Sequence, residues 1–151
     1  MNQAHFHLVV NHFPIIAPII GFLVLIGAFL FRSEIIKRTA YLILIFGALV
    51  TVVAFSSGEE AEDVIENLPG VEEKFIEIHE ESAEVFAILS YTLGGLALVG
   101  FWASWKEKSF SNFLAIAIIL FGIVVLFFAT ETGTSGGEIR HVEIRGDFQP
   151  E

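Results

Sequence analysis

No cysteine occurs in the 151 residues. Disulfides, thiolate metal sites and cysteine nucleophiles are therefore excluded, and the redox compartment stays open. Positive charge is scarce. Eight lysines and arginines stand against eighteen acids, a formal net charge of −10. That balance argues against nucleic acid as a partner, and against docking on anionic lipid through a basic patch. No Ser/His/Asp set, phosphate loop or mid-membrane charged relay is recognisable. Transport is poorly supported, because substrate paths need intramembrane polar groups. No Lys or Arg precedes the first apolar run, and no small-x-small cleavage pattern follows it. The run also exceeds a signal-peptide core, so a cleaved signal peptide is not expected.

What is abundant is apolar surface. Hydrophobic residues make up 54 % of the chain, against about 45–50 % in soluble domains. Mean hydropathy is +0.72. The excess falls in four blocks, 13–31, 39–55, 85–102 and 110–130. A helix of about 17–25 apolar residues crosses the hydrocarbon of a bilayer. The expectation is an all-α integral membrane four-helix bundle, a single domain over 1–151, with the lipid bilayer as its first partner. Pro14 lies near the first helix start, where Asn11 suits a cap. Pro18 should kink that helix or move its start. Trp102 and Trp105 suit an interfacial belt.

Between the second and third blocks lies an outer hairpin, residues 56–84, most of it an acidic island. From Ser56 to Glu81 it carries ten acids, one lysine and one histidine. Ser56-Ser57-Gly58 breaks the apolar run, and Leu68-Pro69-Gly70 is the strongest turn signal. The second and third helices are expected to extend past the membrane as an acidic hairpin. Residues 131–151 read as a polar tail hinged at Gly133, Gly136 and Gly137. Five of the eight basic residues lie in two short loops: Arg32, Lys37, Arg38, Lys106 and Lys108. By the positive-inside rule those loops are cytoplasmic. Both termini, the island and the tail are then extracytoplasmic.

That topology puts all five histidines on one side: His5, His7, His12, His79 and His141. With Pro69 as the hairpin tip, equal helical rise sets Glu59 level with His79 and Glu62 one turn nearer the tip. Glu59 and Glu62 share a face. Four helix ends can then offer ligands to one place: His12, Glu59, Glu62, His79 and His141, flanked by His7, Glu80 and Glu138. Bundle cores are where such sites are commonly built, from carboxylates and imidazoles on facing helices. Mixed His/Glu sets suit iron, zinc, manganese or copper. A second reading is haem b with two axial imidazoles, His12 with His79 and His7 with His141. The sixteen outer acids disfavour its propionates, against Lys74, Arg140 and Arg145 alone. A third is a non-catalytic membrane subunit or interaction protein. A redox partner or a second copy of the chain is a candidate partner, and no reaction is identified. Ordinary roles compete throughout. Glu59 and Glu60 fit a capping box with Ser56 or Ser57, and Glu138 fits one with Ser135. His5 and His7 fit a flexible lead. His79 fits a helix-end pair with Glu80 or Glu84. The sixteen Phe residues fit lipid-facing and packing positions.

His7-Leu-Val-Val-Asn-His12-Phe-Pro-Ile resembles the opening signature of a bacterial family of small four-span membrane domains, domain-of-unknown-function family 2231. That signature is a His, four residues, then His-Phe-Pro-Ile. The family also has a histidine opening its third span, matched by His79. Its Gly-Gly…His ending is matched by Gly136-Gly137-Glu-Ile-Arg-His141. A proline usually follows the first histidine; Leu8 stands there in this chain. The resemblance covers nearly the whole chain. It implies a multi-pass protein of the bacterial inner membrane with paired histidines for haem or another metal, and no defined activity.

Overall fold

The computed structural model describes residues 2–146. Asn2 opens the first helix, α1 (Gln3–Val10), its side chain accepting from His5 N at 2.9 Å. A two-residue break at Asn11 and His12 leads into α2 (Phe13–Leu30), with Pro14 in its first turn and Pro18 inside it. Proline is tolerated in a first turn, where its missing N–H has no helical partner. Ser33 caps α3 (Glu34–Ile65), accepting from Ile36 N at 3.3 Å. Then follow α4 (Glu73–Trp105), α5 (Ser111–Glu138) and a 3-10 turn at Val142–Ile144.

The long helices run up and down. α2 packs on α3, α3 on α4, α4 on α5, and α5 closes back on α2. All four are long and apolar enough to cross a membrane, with α1 and α2 acting together as one. Leu25, Tyr41, Leu44, Leu93, Ile118 and Val125 fill the core. Large side chains such as Leu23, Leu49, Leu98, Phe113 and Ile123 point outward instead. In water such a belt would be a liability; in hydrocarbon it is the solvated surface. Inside the bundle, small residues let backbones approach. Gly94 lies against Ala48, Gly100 against Tyr41 and Gly122 against the ring of Phe22. Thr51 and Ser90 share a buried hydroxyl hydrogen bond of 2.9 Å at the α3–α4 seam.

Three boundaries differ from expectation. The histidine-rich lead is helical. α3 does not break at Ser56-Ser57-Gly58 but runs seven residues further, and α5 carries its Gly-rich stretch as helix to Glu138. The hydroxyls explain this. Ser56 donates to Val52 O (3.0 Å) and Ser57 to Ala54 O (2.8 Å), so both bond back to their own helix. With both helices unbroken, the capping boxes expected for Glu59, Glu60 and Glu138 have no helix start to cap. Asn11 closes α1 rather than opening α2, whose N-cap is His12 without a side-chain cap bond.

The polar tail does fold back. Ile139 buries against Phe75 and Ile76. Arg145 is buried: Nη1 reaches Glu72 Oε1 at 2.5 Å, Nε donates to Glu138 O at 2.8 Å, and the guanidinium stacks 3.9 Å from the Phe75 centroid. The last five residues of the expected tail lie outside the described residues.

Candidate functional site

At the end of the bundle bearing the α3–α4 connection, one side-chain device occurs twice. His7 on α1 faces α3, with Nδ1 3.0 Å from Ser57 Oγ and 3.1 Å from Ala54 O. His79 on α4 faces α5, with Nδ1 3.1 Å from Ser135 Oγ and a backbone hydrogen bond at Thr132. In both, the serine hydroxyl already donates to the carbonyl three residues back: Ser57 to Ala54 O at 2.8 Å, Ser135 to Thr132 O at 3.1 Å. A hydroxyl has one proton to give. Nδ1 must therefore be the protonated nitrogen of each ring, and Nε2 keeps its lone pair. No hydrogen bond to Nε2 of either ring is found among the described residues.

Each imidazole also sits over a glycine. A Cβ at Gly58 would lie 3.4 Å from His7 Cε1, and one at Gly136 only 2.9 Å from His79 Cε1. The two units are spaced alike. His7 and Ser57 lie equally far in sequence from Arg32; His79 and Ser135 lie equally far from Glu107. Arg32 and Glu107 both adopt φ 50°. Both terminate a helix through the same bond to the carbonyl five residues back, Ser33 N to Ala28 O and Lys108 N to Ala103 O. The chain is thus two helical hairpins of one plan. Each places a histidine on its first strand of helix and Ser-Gly on its second.

Both rings lie on the polar helix ends, beyond the apolar blocks. Burial is the largest effect on each and holds both pKa values below the ordinary 6.5. For His7 the Ala54 hydrogen bond opposes that shift, and the charge of His12 adds to it. For His79 the charge of His7 lowers it further, and a backbone hydrogen bond at Thr132 opposes the shift. Two neutral imidazoles with free Nε2 lone pairs are a donor pair.

The other expected ligands are distributed differently. His12 is exposed and bonds its own helix, Nδ1 to Leu8 O at 3.2 Å. His141 is exposed beside Glu143 Oε1 at 2.9 Å. Glu59 is exposed, and Glu138 is half-buried, with its backbone carbonyl taken by Arg145. Glu62 meets Glu80 across the hairpin. Their shared hydrogen bond is the main cause raising the Glu62 carboxyl above its ordinary value, ahead of burial and the charges of Glu80, Asp63 and Glu73. Ala48 with Gly94, and Glu62 with Glu80, both have residue 71 as midpoint. The register is therefore about four residues from the one centred on Pro69, roughly 6 Å along the axis. His79 is level with Asp63, not Glu59. The connection is lopsided: Gly70 turns at φ 82°, and Glu72 is extended at φ −116°, ψ 128° before α4 begins. Among the described residues no three His, Asp or Glu side chains are grouped as a metal ion would need. The structure thus holds His7 on Ser57 and His79 on Ser135, sets Glu62 on Glu80, and leaves His12, His141 and Glu59 apart. Ser57, Gly58, Ser135 and Gly136 escaped sequence reasoning as site residues. The repeated Ser-Gly dipeptide, its serine each time as far beyond a helix-ending turn as a histidine lies before it, was the available signal.

Compared with family models, curated proteins and solved structures, the chain matches none. The resemblance to the four-span family therefore stands on its three short motifs.

Proposed function

We propose that this is a bacterial inner-membrane protein whose His7 and His79 bind a transition metal through Nε2, with haem iron as the form best suited to the donors. The carrying observation is the paired anchoring of Nδ1 by Ser57 and Ser135. Ligating histidines are held in this way, with the second ring nitrogen bonded to a carbonyl or polar group. Two imidazoles are a complete protein contribution only when a macrocycle supplies the other four nitrogens. A bare zinc, copper, manganese or iron ion wants further protein ligands, and the carboxylates expected for that role pair with each other or face solvent. When bound, haem iron supplies one-electron chemistry. The chain would hold the rings neutral, fix their tautomer and leave space at Gly58 and Gly136. The basic loops orient this end to the extracytoplasmic side. The acidic hairpin would there meet a redox partner of opposite charge.

The test is an absorption spectrum with elemental analysis on full-length protein purified in mild detergent from haem-replete cells, before and after added haemin. A Soret band is expected, lost in His7→Ala and in His79→Ala but kept in His12→Ala and His141→Ala. A colourless protein carrying stoichiometric metal, lost with the same two histidines, would return the reading to a non-haem site. Folded protein that takes up neither metal nor haemin would overturn both and favour a non-catalytic membrane subunit.

A further inference from the structure

At the opposite end of the bundle, a recess of about 360 Å³ opens between the α2–α3 and α4–α5 turns. Glu34, Ser104, Lys108, Ser111 and Asn112 line it. Ser111 is 7 % exposed, and its buried hydroxyl has no hydrogen-bond partner. Such a group is costly unless something outside the chain satisfies it. Ser111 also begins α5. The N-cap, Phe110, makes no side-chain cap bond, and the N–H groups of Asn112 and Phe113 find no acceptor among the described residues. Donors thus converge at a helix N-terminus, where the backbone dipole favours negative charge.

The surrounding charges agree. Lys37 is 3 % exposed and donates to Glu34 Oε1 at 2.5 Å and to Asn112 Oδ1 at 2.6 Å. The Asn112 amide therefore turns its N–H₂ away from Lys37, free to donate. Glu34 is occupied: Ser104 Oγ donates to its other oxygen at 2.7 Å, and against burial, which pushes its carboxyl up, the hydrogen bonds from Lys37 and Ser104 and the charges of Lys37 and Arg38 together hold it below its ordinary value. Arg38 itself is bound to Ser104, Nε to Oγ at 3.0 Å. Lys108 reaches the recess while lying 5.6 Å from the Trp102 centroid. Glu107 is the one lining carboxylate without such compensation.

We propose that this recess binds a phosphate oxyanion, held by the Ser111 hydroxyl, the first-turn N–H groups of α5, the Asn112 amide and Lys108. The phosphate comes either from solution or from the headgroup of an anionic phospholipid. This is one recessed site rather than a basic docking patch, so the overall acidity of the chain does not oppose it. It is independent of the histidine pair.

The test uses the full-length protein in maltoside micelles. Inorganic phosphate is titrated and followed by ³¹P line broadening. Phosphatidylglycerol is compared with phosphatidylcholine by native mass spectrometry. Ser111→Ala and Lys108→Gln should each weaken binding about tenfold, as for loss of one charge-assisted hydrogen bond. Glu107→Gln should strengthen it, which a merely structural role for these residues would not produce. Phosphate binding without lipid preference assigns the site to the free ion; lipid preference without phosphate binding assigns it to the headgroup. Neither ligand bound, or affinity unmoved in the exposed-site variants Lys108→Gln and Glu107→Gln, would overturn the proposal.

Discussion

Gly122 offers a sharp test of how the bundle is held together. It lies on α5 opposite Phe22 of α2, which is buried at 6 % exposure. A Cβ at Gly122 would overlap three atoms of that ring, Cζ, Cε1 and Cε2. All three belong to the far half of the phenyl group, which leucine lacks. Gly122→Ala should therefore destabilise the protein by about 1–3 kcal/mol through overpacking. That net cost stands despite a gain of about 1 kcal/mol from replacing a mid-helix glycine. In a Phe22→Leu background the clash is gone and only the gain remains. The same substitution should then be neutral to stabilising by up to about 1 kcal/mol. The expected coupling, the difference between the two costs, is about 1–4 kcal/mol, of the size seen for residues in direct contact. Unfolding in mixed micelles by added dodecyl sulfate, followed by far-UV circular dichroism, measures all four corners of the cycle. If Gly122→Ala cost the same with Phe22 and with Leu at position 22, the close α2–α5 approach would be wrong.

Acid should loosen the histidine end. Burial lowers the His7 and His79 pKa values below 6.5, so as pH falls the unfolded chain binds protons before the folded one does. Stability is then full above pH 6.5 and declines as pH drops below it. The thermal midpoint should fall between pH 7.5 and pH 5.5, less steeply in His79→Gln, and a flat profile in the parent protein would contradict the buried, neutral rings. At the tail, Arg145→Ala removes the Glu72 ion pair, two carbonyl hydrogen bonds and the Phe75 stack. Amide exchange at residues 139–145 should rise by an amount equivalent to about 2–3 kcal/mol. The α3–α4 core should stay protected, and unchanged exchange in the tail would refute its docking.

Much of the architecture was legible in the sequence. Each of the four apolar blocks became part of a helix long and apolar enough to cross a membrane, where a polar backbone would have no partner but itself. The hairpin and its turn at Leu68-Pro69-Gly70 were legible for the same kind of reason: glycine and proline act locally. Helix ends were less so. Ser56-Ser57-Gly58 and Gly133–Gly137 look like breaks by composition. They are helix because their hydroxyls bond backwards and their missing side chains accommodate imidazoles from other helices.

The candidate site divides along the same line. The sequence determined that histidines, acids and basic loops segregate to opposite ends, since charge avoids the bilayer interior. It determined His79 as a ligand candidate and His7 as a secondary one. Which histidine faces which depends on helix rotation and on a four-residue register, and those follow from side-chain packing between segments about fifty residues apart. Only the tertiary structure joined His7 to Ser57 and His79 to Ser135. It also set Glu62 on Glu80 instead of beside His79, and it left the Ser111 hydroxyl buried without a partner.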